Sequence, residues 1–219
     1  DKIKDARRLA EEVIDCGKFA LVNYEKSLNT DEANKDLLFS DEHIFSLRGQ
    51  NVKSDAEGVH KQITGTDGNV QMASGYQSIL YLGDLEDYRL NWYKSFYIIK
   101  YTSDNSERFF PKMPMIRLSE MYLIAAEGWM KDDPEHAAEL LQTLKQARTK
   151  SIVNKQTVTE EMILLEMRKE FVGEGQLFYV YKRLNHDIIG NTSEDGVKAS
   201  NRVFVLPLPE EEIEYGYRN

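Results

Sequence analysis

A single cysteine, Cys16, stands in 219 residues, so no internal disulfide can form. A chain of this length can bury enough apolar surface to fold without one. Cys16 lies in "VIDCGKF", beside Asp15, where a thiolate is disfavoured, and it reads as a small core residue. Positive charge is also scarce: 28 Lys and Arg face 37 Asp and Glu, a net charge of −9. That balance argues against nucleic acid as a partner, because phosphate binding needs a basic face. Apolar runs are short, far below the roughly 18 residues of a spanning helix. The opening "DKIKDARRLAEEV" has no charged n-region followed by an apolar h-region. It enters a helical pattern at once, and the expectation is a mature or trimmed chain whose N-terminal part is missing. The four histidines, His43, His60, His136 and His186, are scattered, and no HExxH, EF-hand loop or GxSxG occurs. Neither a metal nor a cofactor is expected.

What is present is mostly helical. Residues Lys2–Cys16 carry Ala6, Ala10, Val13 and Ile14 on one face, with Gly17 as the stop. "KFALV" reads as a short strand or extended segment, and "EHIFSLRG" alternates like a strand. Residues 48–92 have little periodicity and many glycines, so 41–110 is read as an irregular, ligand-binding excursion within one domain spanning 1–219. Trp92–Thr102 is rich in aromatic and β-branched residues and predicts a strand. Helix is predicted from Pro111 onward, with Pro114 at a helix start and Ile116, Ser119, Leu123, Ala126 and Met130 on one face. Asp133 is a natural cap and Pro134 a first helical residue. The helix that follows runs to about Thr149 with Ala137, Leu141 and Leu144 inward. Ala125, Ala126, Ala137 and Ala138 would let the two helices approach closely, loosely in the manner of a tetratricopeptide unit. A third helix starts at Thr159, with Ile163, Met167, Glu170 and Phe171 inward. Helical spacing resumes at Leu177, Val180, Tyr181 and Leu184. Val203–Leu206 predicts a short strand, and "PEEE" after it a helix start.

Two features invite a chemical reading. The first is "GEG", Gly173–Gly175, which interrupts good helix. A phosphate loop would follow a strand and precede Lys-Ser or Lys-Thr, and neither condition holds. A helix junction with close backbone packing fits better. Glu170 and Glu174 are four apart on one face. They could flank a sugar as glycosidase carboxylates do, at about 5–10 Å. Such spacing is common in any acidic protein, and the reading preferred is a structural ion cluster of Arg117, Glu120, Arg168, Glu170, Glu174 and Arg183, since arginine forks match carboxylates. The second feature is aromatic. Tyr76, Tyr81, Tyr88, Trp92, Tyr93 and Tyr97 fall within 22 residues. Trp92, Tyr81 and Tyr76 are the exposed candidates for stacking on a sugar or another planar ligand, with Arg89 and Asn91 as polar partners. Tyr93 and Tyr97 can also be read as packing a strand onto the helices.

Three segments occur in order: "MPMIRLSEMYLIAAEGW", "LLEMRKEFVGEGQLFYVYKRLNHD" and "VFVLPLPEEEI". Together they resemble the SusD/RagB family of Bacteroidetes. "ARRLAEEVIDCGKFALV" and "EHIFSLRG" also fit the middle of such proteins, so the resemblance covers most of the chain and looks like a C-terminal portion. Met167-Arg168 stands where the family has Glu-Arg, Leu177 and Val180 replace its usual Arg and Asp, and the ending is "YGYRN". The resemblance implies a mainly α, SusD-like fold of tetratricopeptide-type hairpins, with a long irregular loop region and a few short strands. It implies a surface lipoprotein, not an enzyme, that binds glycans or other nutrients and caps a SusC-like TonB-dependent outer-membrane transporter. Its lipid anchor would lie outside these residues. The competing readings are a helical module that holds a protein partner, and a glycoside hydrolase using Glu170 and Glu174.

Overall fold

The first helix, α1 (Lys2–Asp15), turns one face to α4 (Leu118–Trp129) and leaves Ile3 and Leu9 exposed. The crossing is set by Gly128 and Arg7. A Cβ on Gly128 would sit 2.7 Å from Arg7 Cβ, closer than carbon atoms pack. The Arg7 guanidinium lies 3.7 Å from the Trp129 ring centroid and donates to the Gly128 carbonyl at 2.9 Å and to Asp132 at 2.6 Å. Gly128→Ala is therefore expected to push α1 away and destabilise the fold by about 1–3 kcal/mol, the usual cost of overpacking. Thermal melting by circular dichroism checks this, and a melting point unchanged or raised would show that the helices can separate freely there.

The computed structural model describes residues 2–28, 36–49, 76–94, 97, 98, 100, 112–190 and 196–209. The single turn α2 (Tyr24–Ser27) is capped by Asn23, which accepts from the Lys26 amide. "KFALV" forms no ladder among the described residues. Ala20 N bonds the Asp41 carbonyl and Val22 N bonds Glu42 Oε1. Cys16 is exposed, not a core residue, with its thiol near the Val13 carbonyl at 3.0 Å. Strand β1 (His43–Arg48) pairs antiparallel with β4 (Lys112–Arg117), placing Arg48 opposite Lys112 and Ser46 opposite Pro114. Pro114 thus lies in a strand and the helix begins at Leu118. A proline cannot donate to a ladder but is tolerated on an edge strand, and pairing with β1 overrides its helix-start tendency. The correction matters, because an extended Arg117 ends β4 with its side chain buried.

The segment 76–98 holds α3 (Tyr76–Tyr81), a 3₁₀ turn at Tyr88–Trp92 capped by Asp87, and the two-residue strands β2 (Tyr93–Lys94) and β3 (Tyr97–Ile98). In place of the strand expected over Trp92–Thr102, β2 and β3 pair antiparallel, with Tyr93 opposite Ile98. Residues 101 and 102 lie outside the described residues, as do 50–75. Helices α4 and α5 (Pro134–Gln146) make the hairpin the alanines anticipate, with all four alanines buried and Asp133 accepting from His136 N. Helix α6 (Glu160–Glu170) is capped by Thr159 and buries Ile163, Leu164 and Met167.

The chain divides into two compact units, Asp1–Gly173 and Glu174–Asn219. The boundary falls in "GEG", where Gly173 and Gly175 have φ of +74° and +76°, left-handed values that favour glycine. The second unit contains α7 (Leu177–Leu184) and the one-turn α8 (Asn201–Phe204), with Phe178 edge-on to Phe204 at 5.9 Å. Val203–Leu206 is not a strand. The Val203 and Phe204 amides both bond the Ser200 carbonyl, closing a turn instead. Most of "PEEE" lies outside the described residues.

Candidate functional site

Helix α6 presents Glu166 and Glu170, one turn apart, on its buried face, and both are all but removed from solvent. Bare carboxylates cannot remain charged there, so the first question is what compensates them. Four buried carboxylates (Glu42, Asp87, Glu166, Glu170) face four buried cations (Arg89, Arg117, Arg148, Lys169). Arg89 donates to Glu166 at 3.0 Å, to Glu170 at 2.9 Å, and through two nitrogens to Asp87 at 2.5 and 2.9 Å. Arg117 donates to Glu170 Oε2 at 3.0 Å, to the Glu170 carbonyl at 2.9 Å and to Ser119 Oγ at 2.9 Å. Arg148 donates to Glu170 Oε1 at 2.7 Å, to Glu42 at 2.9 Å, and to the Val22 carbonyl and Tyr88 hydroxyl at 3.0 and 2.8 Å. Lys169 closes the set on Glu166 at 2.8 Å. Segments far apart in sequence are tied at one carboxylate: the 3₁₀ turn, the end of β4, the end of α5 and α6.

The electrostatics follow from this geometry. Burial alone would raise the Glu170 carboxyl, but Arg148, Arg89 and Arg117 outweigh it and hold the group well below the usual carboxylate range. Glu166 is likewise lowered, against burial, by Arg89 and Lys169. Burial opposes the charge on Arg89, and Asp87 and Glu166 more than restore it. A general acid needs the opposite, a carboxyl raised toward the working pH. Glu170 is held as a carboxylate, the wrong state for a general acid, and both its oxygens are buried and engaged by arginines, which leaves neither open to a sugar.

Aromatic rings wall this cluster. Phe39 lies 4.7 Å from the Arg148 guanidinium and 5.7 Å from that of Arg117. Lys100 Nζ sits 3.7 Å from the Trp92 ring and donates to the Glu170 carbonyl. Trp92, Phe39, Tyr88, Tyr81, Tyr93, Val22, Leu37, Leu80 and Val172 form one buried core. Ring faces carry negative charge density and stabilise desolvated cations while excluding water.

The exposed stacking platform expected of Trp92 and Tyr81 is overturned. Trp92 is 0% exposed, its indole N–H donating to the Leu37 carbonyl at 3.1 Å, and Tyr81 is 2% exposed. Neither offers a free ring face. Arg89, expected beside a ligand, is fully engaged in the ion cluster. Tyr76 is half-buried, with its ring 5.7 Å from the Arg168 guanidinium. Asn91 is exposed on the 3₁₀ turn and donates to the Tyr88 carbonyl at 2.8 Å. Glu120 is half-buried in the first turn of α4. Glu174 belongs to the second unit, where Gln176 donates to it at 3.2 Å, and Arg183 is exposed on α7. Sequence reasoning missed Glu42, Asp87, Arg148, Glu166 and Lys169. One signal was there: Glu166 precedes Glu170 by four residues on the inward line of α6, whereas Glu174 lies beyond the helix end. Among the described residues no group of three or more His, Cys, Asp or Glu side chains is placed to hold a metal ion. Among them, too, no helix is long and apolar enough to cross a membrane.

The family model described as the SusD family matches residues 41–214. A SusD superfamily protein from Bacteroides thetaiotaomicron superposes with a TM-score of 0.76 at 24% identity, over 98% of this chain and 55% of its own. A Bacteroides vulgatus protein described as a candidate sugar binding protein superposes with a TM-score of 0.69 at 25% identity, over 97% of this chain and 53% of its own. A SusD superfamily protein, also from Bacteroides vulgatus, gives 0.67 at 22% identity, over 98% and 53%. The chain thus spans about half the length of these solved structures. No curated protein matches it significantly.

Proposed function

This chain belongs to the SusD family, and from that premise we propose that it binds a glycan at the cell surface and passes it to a TonB-dependent transporter of the outer membrane. The observation that carries the reading is the family match over residues 41–214, and the fold shared with a candidate sugar binding protein supports it. The surface location and the transporter partner rest on family membership alone. The ion cluster is scaffold: it fixes the 3₁₀ turn and α3 against α6, so that the side chains above it are held in place. Among the described residues of the aromatic segment, Tyr76, half-buried, and Asn91, exposed, are open to a ligand, and both belong to the proposed site. Trp92, Tyr81 and Arg89 support them from beneath.

Isothermal titration against an oligosaccharide panel, followed by Tyr76→Ala and Asn91→Ala, tests this. Each substitution is expected to weaken a detected ligand roughly tenfold, about 1.4 kcal/mol, with little change in melting temperature. Unchanged affinity in both variants would remove this surface from the site. A protein that binds none of the glycans, yet captures a folded protein partner, would favour the helical-module reading instead.

A further inference from the structure

Arg89, Lys100, Arg117, Arg148 and Lys169 are buried cations that each donate to a carboxylate or a carbonyl. Arg168 is buried too, at 4% exposure, yet among the described residues its guanidinium makes no hydrogen bond and no ion pair. Its contact is the Tyr76 ring, whose centroid lies 5.7 Å from the guanidinium carbon. The sequence expectation places Arg168 in the ion cluster, and helix geometry keeps it out. Glu166 and Glu170 each stand two residues away on α6, about 200° around the axis, so Arg168 points away from both. The positions three and four residues away, where a helical partner would stand, are Leu164, Leu165, Phe171 and Val172. Buried charges are normally paired, because an unpaired one is costly.

The guanidinium is not sealed. Unlike Arg117 Nε, none of its nitrogens is among the fully buried atoms left without a partner, so they keep a narrow contact with solvent. Tyr76 is half-buried at the start of α3 and packs against the aromatic core from its margin. A guanidinium presents parallel N–H groups in one plane, and their complement is a carboxylate bound through both oxygens. A sugar hydroxyl would accept one hydrogen bond and leave the charge uncompensated. Repulsion from the net charge of −9 is screened beyond about 8 Å at physiological salt, so the local pairing decides.

Resting on the reading above, in which Tyr76 belongs to the ligand site, we propose that Arg168 is a carboxylate subsite of it. The ligand class is then an acidic saccharide, whose uronate group Arg168 takes through both oxygens beside the Tyr76 ring.

The test is titration of the full chain with oligomers of galacturonate, mannuronate and hyaluronan, each also as its methyl ester, and with maltohexaose and a carrageenan oligomer. A uronate oligomer should bind, and its ester, the same sugars without the charge, should bind at least about tenfold more weakly, as loss of a hydrogen bond to a charged group implies. Arg168→Met should bring the acid down to the affinity of the ester. Arg168→Lys, which keeps the charge and loses the fork, should fall between. Free of ligand, Arg168→Met should melt no lower than the wild type, because it removes a buried charge that has no partner. A lower melting point would show that the protein itself holds the guanidinium, and overturns the subsite. A preference for the acid that survives Arg168→Met overturns the assignment to Arg168. Acid and ester bound alike, or a neutral probe bound in place of every uronate, overturns the inference and leaves glycan binding standing. Tighter binding of the sulfated carrageenan overturns the carboxylate class. Failure of the wild type to bind any probe overturns the glycan-binding reading itself, and this inference with it.

Discussion

Glu170→Gln is expected to destabilise the fold by about 3–5 kcal/mol at pH 7, the cost of breaking a buried ion pair from one side. The substitution keeps the shape and removes the charge that Arg89, Arg117 and Arg148 all face. A glutamine can accept through one oxygen, but its amide group points two donors at guanidinium donors. Domains are stable by only about 5–15 kcal/mol, so the loss is a large fraction of the whole. The pH dependence gives a second reading of the same group. Glu170 is held well below its ordinary value of 4.5, so its contribution is fully present above about 4.5 and is lost as pH falls through the lower folded-state value. The gap between wild type and Glu170→Gln, measured by urea unfolding, should therefore be widest near neutrality and narrow in strong acid. A gap under about 1 kcal/mol at pH 7, the range of exposed pairs, would show that the cluster is not what holds these segments together.

Trp92→Ala should cost a similar amount, about 3–5 kcal/mol. The side chain is wholly buried, packs on Phe39 at 4.8 Å and covers Lys100. Its removal leaves a cavity, an unpaired Leu37 carbonyl and a buried ammonium without its ring. Trp92→Phe keeps a ring and loses the indole hydrogen bond, so about 1 kcal/mol is expected. Were Trp92 an exposed sugar platform, Trp92→Ala would change stability by less than about 0.5 kcal/mol and abolish binding. Equilibrium unfolding of the two variants separates these outcomes.

The helices were legible because their signals are local. Asp133-Pro134, Thr159 and the alanines of α4 and α5 act within a turn or two, and the structure places them accordingly. The strands were legible in part. β1 alternates, but β4 carries a proline and is a strand only because β1 lies beside it. Trp92–Thr102 has strand composition throughout, and nothing local marks the reversal between Tyr93–Lys94 and Tyr97–Ile98. The ion cluster was the least legible. Its members come from residues 42, 87, 89, 117, 148, 166, 169 and 170, and only the last three share an element. Arg89 and Trp92 carry the same letters in a binding site as in a buried cluster, and burial, a property of the folded chain, decides between them.

The most direct measurement is to incubate the protein with an oligosaccharide panel, recording binding heat and, in the same samples after a day, the release of new reducing ends. The account predicts saturable binding of at least one oligosaccharide with no new reducing ends. Hydrolysis of the bound glycan, or no binding to any of them, would contradict it.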